Sequence, residues 1–238
     1  MSIFNVLAYP VEHWTWDDLI NKSYKQNSSA NHEPTKTFYL GNKPLLTTLQ
    51  LDLSSPKIKK GGFKIAAFGI STTSLFKSSA TQDVCAKRTY YTEERVTEHN
   101  GSLVTKTTNV PHDSQKQVQN LSMEVACVVW AQALLDIVYE FVAEAITSHG
   151  QPPFHIPQFC FVESALAMEH SLDDNSRAGQ KKAVFLVEEV IADDREGPFR
   201  KYLNNVSPVP LSMNCKEDGD RGKFLVTFNT DPILNALY

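Results

Sequence analysis

KKAVFLVEEVIADDREGPFRKYLNN, residues Lys181 to Asn205, decides how the rest of the chain is read. Ala183 to Val187 is an apolar run with the length and β-branched character of a buried strand. Glu188 and Glu189 follow it directly. A polar loop with Gly197-Pro198 comes next, then a basic-aromatic cluster, Phe199-Arg200-Lys201-Tyr202, and finally Asn204-Asn205. A strand that runs into acids and then into a Gly-Pro loop reads as a connector between two lobes. A strand edge followed by a solvated loop satisfies the same spacing.

Working back from this stretch, Ser171 to Gln180 is a polar turn. Pro157 to Glu163 reads as a short buried strand ending in an acid, continued by Ser164 to Glu169; Glu163 is assigned a structural role. Before it, Gln117 to Ser148 is the longest helical signal in the chain. Val118, Leu121, Val125, Val128, Leu135, Val138, Val142 and Ala145 recur mostly at steps of three and four, and Trp130, Leu134, Phe141 and Ile146 widen the stripe. Gly150 and Pro152-Pro153 stop it. So broad an apolar surface predicts a helix buried on most sides and packed on a sheet. Glu124, in its first turns, is either a solvated acid favoured by the helix dipole or the partner of a buried cation.

Two strands precede the helix. Lys59-Lys60-Gly61-Gly62 is a turn, and Phe63 to Ile70 is an apolar strand with one lysine. In Gln82 to Tyr91, alternation places Val84 and Ala86 on one face and Cys85 and Lys87 on the other. A lysine among small apolar residues on a central strand is costly to bury alone. Lys87 therefore either sits exposed on a strand edge or meets an anion. In a nucleotide-binding lobe that anion is a phosphate, backed by a carboxylate from a helix. Thr97 to Lys116 reads as a loop or ragged hairpin.

Taken together, these segments resemble the atypical alpha-type protein kinases, in a fungal-like form. The family's "VEE" and "GxFxKYxNN" are similar to Val187-Glu188-Glu189 and to Gly197 through Asn205, with Ala192 to Glu196 lengthening the loop. Its "VAK-R/K-x-Y" is similar to Val84 through Tyr90, and its "G-x-F-R/K-x-A" to Gly61 through Ala66. Met123-Glu124-Val125-Ala126 through Trp130-Ala131 resembles its "EA…WA" helix. The resemblance covers roughly residues 58–205. It implies an α+β fold: a kinase-like nucleotide lobe, built as a twisted antiparallel sheet with one long packed helix, plus an incomplete second lobe. The implied organisation is a variable N-terminal segment at 1–55, the lobe and hinge at 56–205, and a second-lobe remnant at 206–238.

By the same resemblance Lys87 holds the ATP phosphates and Glu124 orients the lysine. The backbone of Val187, Glu188, Glu189 and Val190 contacts adenine, and Lys87 and Glu188 lie on opposite walls of one cleft. The implied activity is transfer of the ATP γ-phosphate to Ser/Thr of proteins with Mg²⁺. The alternative is a catalytically inactive pseudokinase or interaction module. The chain departs from the family after the hinge. Past Tyr202 it has one cysteine, Cys215, no histidine, and no Asp followed by Gln-Gly or Tyr-Gly. Thr230-Asp231-Pro232-Ile233 resembles "TDPQI" and leaves Asp231 as the catalytic candidate. A zinc site needs a cluster of ligands, so no metal site is expected.

Bulk properties set the frame. The chain has 238 residues, 42% hydrophobic and 21% charged, ample for a core. A net charge of -4 gives no electrostatic case for nucleic acid. No apolar run is expected to reach membrane-spanning length, and no secretory signal is evident. Scattered cysteines without CxxC spacing are expected to be reduced, in a cytoplasmic setting. In the N-terminal segment, a helix is expected at Asp17 to Tyr24 with Thr15 as N-cap, and Leu45 to Leu53 alternates weakly as a strand would.

Overall fold

A computed structural model of the chain describes residues 1–27, 40–54, 58–77, 81–99, 102–153, 156, 158–170 and 182–190. The hinge loop beyond Val190, the basic-aromatic cluster, Asp231 and the whole 206–238 remnant lie outside these residues.

Alternation along the strands builds a two-faced sheet. The strands are β1 (Ser2–Pro10), β2 (Leu45–Leu51), β3 (Lys59–Lys60), β4 (Lys64–Ser71), β5 (Asp83–His99), β6 (Ser102–Pro111), β7 (Ser164–Glu169) and β8 (Val184–Glu189). They pair in the order β3-β4-β2-β1-β7-β8-β5-β6, antiparallel throughout. A further pairing of β4 with β5 closes the sheet. The result is a closed β-barrel where the resemblance implied the twisted antiparallel sheet of a kinase-like lobe; mixed α+β architecture holds. Closure pairs β4, β2, β1, β7, β8 and β5 into a ring, and among the described residues β3 and β6, each paired on one side only, remain as edges. Val6, Ala8, Leu49, Leu51, Val84, Ala86, Ala165, Ala167, Phe185 and Val187 fill the interior. Many of these are alanine or valine, small enough for a narrow lumen.

Closure requires a close approach at Gly69. A Cβ there would lie 2.9 Å from the Gln50 carbonyl carbon and 3.0 Å from Leu51 Cα. Only glycine lets β4 and β2 meet at this corner.

Residues 1–55 do not form a separable segment. They supply β1 and β2, and β1 bridges β2 and β7. Val6, Ala8, Leu49 and Leu51 are wholly buried there. The expected helix is α1 (Trp16–Asn27). Thr15 caps it as anticipated: its hydroxyl accepts from the Asp18 N–H at 3.2 Å and donates to the Asp18 carboxylate at 2.7 Å.

The long helix is α2 (Ser114–His149). Asp113 caps it by accepting from the Lys116 N–H at 2.8 Å, and Gly150 ends it at φ 89, where its N–H reaches the Ile146 carbonyl. Its outer-face contact is with Leu166, Val184 and Leu186, together with Trp14 and Leu19. Buried positions step by four: Gln117, Leu121, Val125, Val129, Ala133. Such a row winds around the axis by about 40° per step, and after Ala133 no residue of the helix is buried. Leu134, Val138 and Phe141 are exposed. The helix is therefore not buried on most sides, contrary to its sequence pattern. It is also long and apolar enough, by length and composition, to cross a membrane. That corrects the expectation that no apolar run would reach such a length.

Of the connections, Thr97 to Lys116 takes the hairpin form of the two expected: it holds strand β6, paired with an extended β5 from His99↔Ser102 to Tyr90↔Pro111. Phe159 to Glu163 is not a strand, and Phe159 and Phe161 are exposed. Only Ser164 to Glu169 pairs, where alanines fit the barrel interior.

Candidate functional site

Register places the candidate residues on one surface. Val84, Ala86 and Val187 point into the barrel, so their neighbours Cys85, Lys87 and Glu188 point to the outer face that also carries Leu186 and α2. Cys85 pairs with Glu188, and Lys87 pairs with Leu186 on one side and Ala66 on the other. Lys87 is thus a diagonal neighbour of Glu188 on β8 and of Lys64 on β4, on the same face of the sheet.

The ion pairs follow this register. Lys87 Nζ contacts Glu188 Oε2, and Lys64 Nζ contacts Glu124 Oε1. Sequence reasoning had Lys87 held by Glu124; the helix acid goes to Lys64, and the strand acid goes to Lys87. Lys87 and Glu188 are ion-paired on adjacent strands, so they are not opposite walls of a cleft. Lys64 is the residue given no role beforehand. Its signal was present, as the single lysine in the apolar run Phe63 to Ile70.

All four charged side chains are half-buried. Cys85 is buried among them. Burial pushes its thiol pKa up, Lys87 and Lys64 pull it down, and Glu188 pushes it up again; the net shift is upward. By register Cys85 stands opposite Glu188 on β8 and Phe68 on β4, two residues along β5 from Lys87.

The acids after the strand have different tasks. Glu189 donates its N–H to the Glu163 carbonyl at 3.0 Å, and its carboxylate accepts from the Glu163 N–H at 2.8 Å. This clamp, made through the backbone of Glu163, ties the end of β8 to the chain entering β7. At the other end, Glu169 accepts from the Ala183 N–H at 2.9 Å and donates its own N–H to the Ala183 carbonyl at 2.8 Å. Val187 and Glu188 pair with β5 on one edge and β7 on the other. Glu189 pairs with Val84 and bonds Glu163. Of the four residues expected to contact adenine, only Val190 lies past the ladders.

A buried hub fixes α2 on this surface. Gln117 is fully buried; its Oε1 accepts from Arg88 Nε at 3.0 Å and from the Val184 N–H at 3.1 Å, and its Nε2 donates to the His112 carbonyl. Arg88 lies over the Phe185 ring at 5.8 Å. Burial lowers its pKa, and Glu169 opposes that. No sequence reading singled out Gln117, because a glutamine in an apolar stripe looks like an interruption.

This arrangement offers two cations side by side, each aimed by its own carboxylate, at a partly open surface. An anion bearing several charges can bridge them. Among the described residues no three His, Cys, Asp or Glu side chains come together as metal ligands. No family model, curated protein or solved structure matches the chain.

Proposed function

We propose that the barrel is an ATP-binding module resembling the nucleotide lobe of alpha-type Ser/Thr protein kinases. The observation that carries this reading is the Lys87–Glu188 pair on the α2-side face, with Lys64–Glu124 beside it. Lys87 meets the polyphosphate, and Glu188 rather than Glu124 sets its direction. The phosphate end of ATP fits these residues. The adenine end does not fit Val187 to Glu189, whose backbone is engaged in the sheet; adenine contact falls to Val190. If the module is active, the bound nucleotide supplies a γ-phosphoryl group for transfer to Ser/Thr of a protein. Mg²⁺ has no ligand set among the described residues, so no step is derived through it.

Saturating ATP, at about a hundred times its dissociation constant, stabilises a binding-competent fold by about 2.7 kcal/mol. A rise in Tm of the full chain with ATP, lost in Lys87→Met and kept in the exposed control Lys106→Met, supports the proposal. No shift in the wild type, or a shift untouched by Lys87→Met, refutes it.

A second reading, a module that binds proteins and transfers no phosphate, is favoured by one observation: the exposed apolar stripe on α2.

A further inference from the structure

Along α2, Met123, Cys127, Trp130, Leu134, Ile137 and Phe141 follow one another at steps of 4, 3, 4, 3 and 4. This is the spacing of a coiled-coil seam, which a single helix has no reason to keep on a solvated face. The stripe is also distinct from the row Gln117 to Ala133 that packs on the barrel. Met123 is 66% exposed, Leu134 49% and Phe141 69%, with Cys127 exposed between them. Trp130 is half-buried, edge-on to Trp16 at 5.8 Å. The stripe widens over Val138 into an open apolar cavity of about 460 Å³ that Phe159 and Phe161 complete.

We infer that this stripe is the interface between two copies of the chain, packed with their α2 helices antiparallel across a two-fold axis at Leu134. The inference stands independently of the nucleotide reading. Its first support is area. With side chains of on the order of 150–200 Å² each, the exposed parts of Met123, Leu134, Ile137, Val138, Phe141 and Phe159 come to about 600 Å². Two copies bury about 1,200 Å², the lower limit of a standard specific interface, and a monomer rarely exposes an apolar patch of this size. The second support is self-complementarity. The six seam positions carry no charge, so nothing in the seam calls for a charged partner, and a two-fold contact needs only one patch that matches itself.

Orientation follows from the acids. Gln117 to Ser148 contains Glu124, Asp136, Glu140 and Glu144 and no lysine or arginine. A parallel pair would set Asp136, Glu140 and Glu144 beside their own copies. An antiparallel pair separates each from its own copy and opposes the helix dipoles; Glu144 then faces Glu124, whose charge is already paired with Lys64. It brings Leu134 against Leu134 and Cys127 against Phe141, and keeps the two Cys127 residues about 20 Å apart.

Sedimentation equilibrium of the full chain tests the association. The expected wild-type mass is twice 26.7 kDa. Phe141→Glu and Leu134→Glu each weaken the dimer by at least about thirtyfold and leave far-UV circular dichroism unchanged, since both side chains lie outside the core. A wild type that stays monomeric at about 100 μM overturns the inference, as does a dimer indifferent to both glutamates. Register is read by mild oxidation. With Cys127, Cys160 and Cys215 changed to Ser, Leu134→Cys forms a disulfide-linked dimer. No crosslink there, or a wild-type crosslink through Cys127, overturns the antiparallel arrangement.

Discussion

Replacing Gln117 with leucine removes the hub that joins α2 to the barrel. Three hydrogen bonds go: from Arg88 Nε at 3.0 Å, from the Val184 N–H at 3.1 Å, and to the His112 carbonyl. Leucine is close in volume, so the cost is polar rather than a cavity. Each buried group left unpaired costs about 1–3 kcal/mol, with the Arg88 bond at the upper end because that cation is already desolvated. Those losses total about 5 kcal/mol, and burying the leucine side chain returns about 2 kcal/mol. The net loss of about 3 kcal/mol is a large fraction of a stability on the order of 5–15 kcal/mol. For a domain of this size it lowers Tm by about 6–12 °C. Urea unfolding of Gln117→Leu against the exposed control Gln115→Leu measures it. A difference between the two below about 1 kcal/mol would show that the hub does not hold α2, and the reasoning would fail.

Four other outcomes are expected. Gly69→Ala places a methyl into the Gln50 carbonyl and Leu51 Cα; the barrel corner must open, and a loss of more than about 3 kcal/mol in denaturant unfolding is expected, whereas a neutral result would place the corner elsewhere. Glu188→Gln frees Lys87 and weakens ATP binding about tenfold by titration calorimetry, more than Glu124→Gln does; equal effects would contradict the pairing of Lys87 with Glu188. Cys85, its pKa raised above 9.0 by burial, alkylates after the exposed Cys127 at mildly alkaline pH, as peptide mapping would show; simultaneous labelling would argue against burial. The same shift has a sign for stability: the folded state holds the thiol proton more tightly, so that contribution is present below pH 9.0 and lost as pH rises through the folded pKa. The urea midpoint should therefore fall at alkaline pH in the wild type by more than in Cys85→Ala, and parallel pH curves would refute it.

Local patterns were readable where one periodicity dominated. The run Ala183 to Val187, the strand through Lys87 and the helix with its Gly150 stop all stand close to where alternation and capping put them. Lys64 stood out as a lone cation in an apolar strand, and its partner could not be named. Partners depend on register: Lys87 meets Glu188, a hundred and one residues away, because β5 and β8 align Cys85 with Glu188. Nothing local encodes that. The strand at Ser2–Pro10 went unread because neighbours from β2 and β7, distant in sequence, are what bury Val6 and Ala8.

The sequence by itself determined which residues could be strand, helix or cap, and that Lys87, Glu124, Glu188 and Glu189 were the charges to account for. Those features follow from backbone sterics, capping and the periods of 2 and 3.6. Only the tertiary structure decided that the sheet closes, that Glu124 serves Lys64, and that, among the described residues, the distal apolar face of α2 is exposed. A hydrophobic stripe states that a face wants burial; which surface buries it depends on helix crossing and strand register. Both are set by packing across the whole barrel.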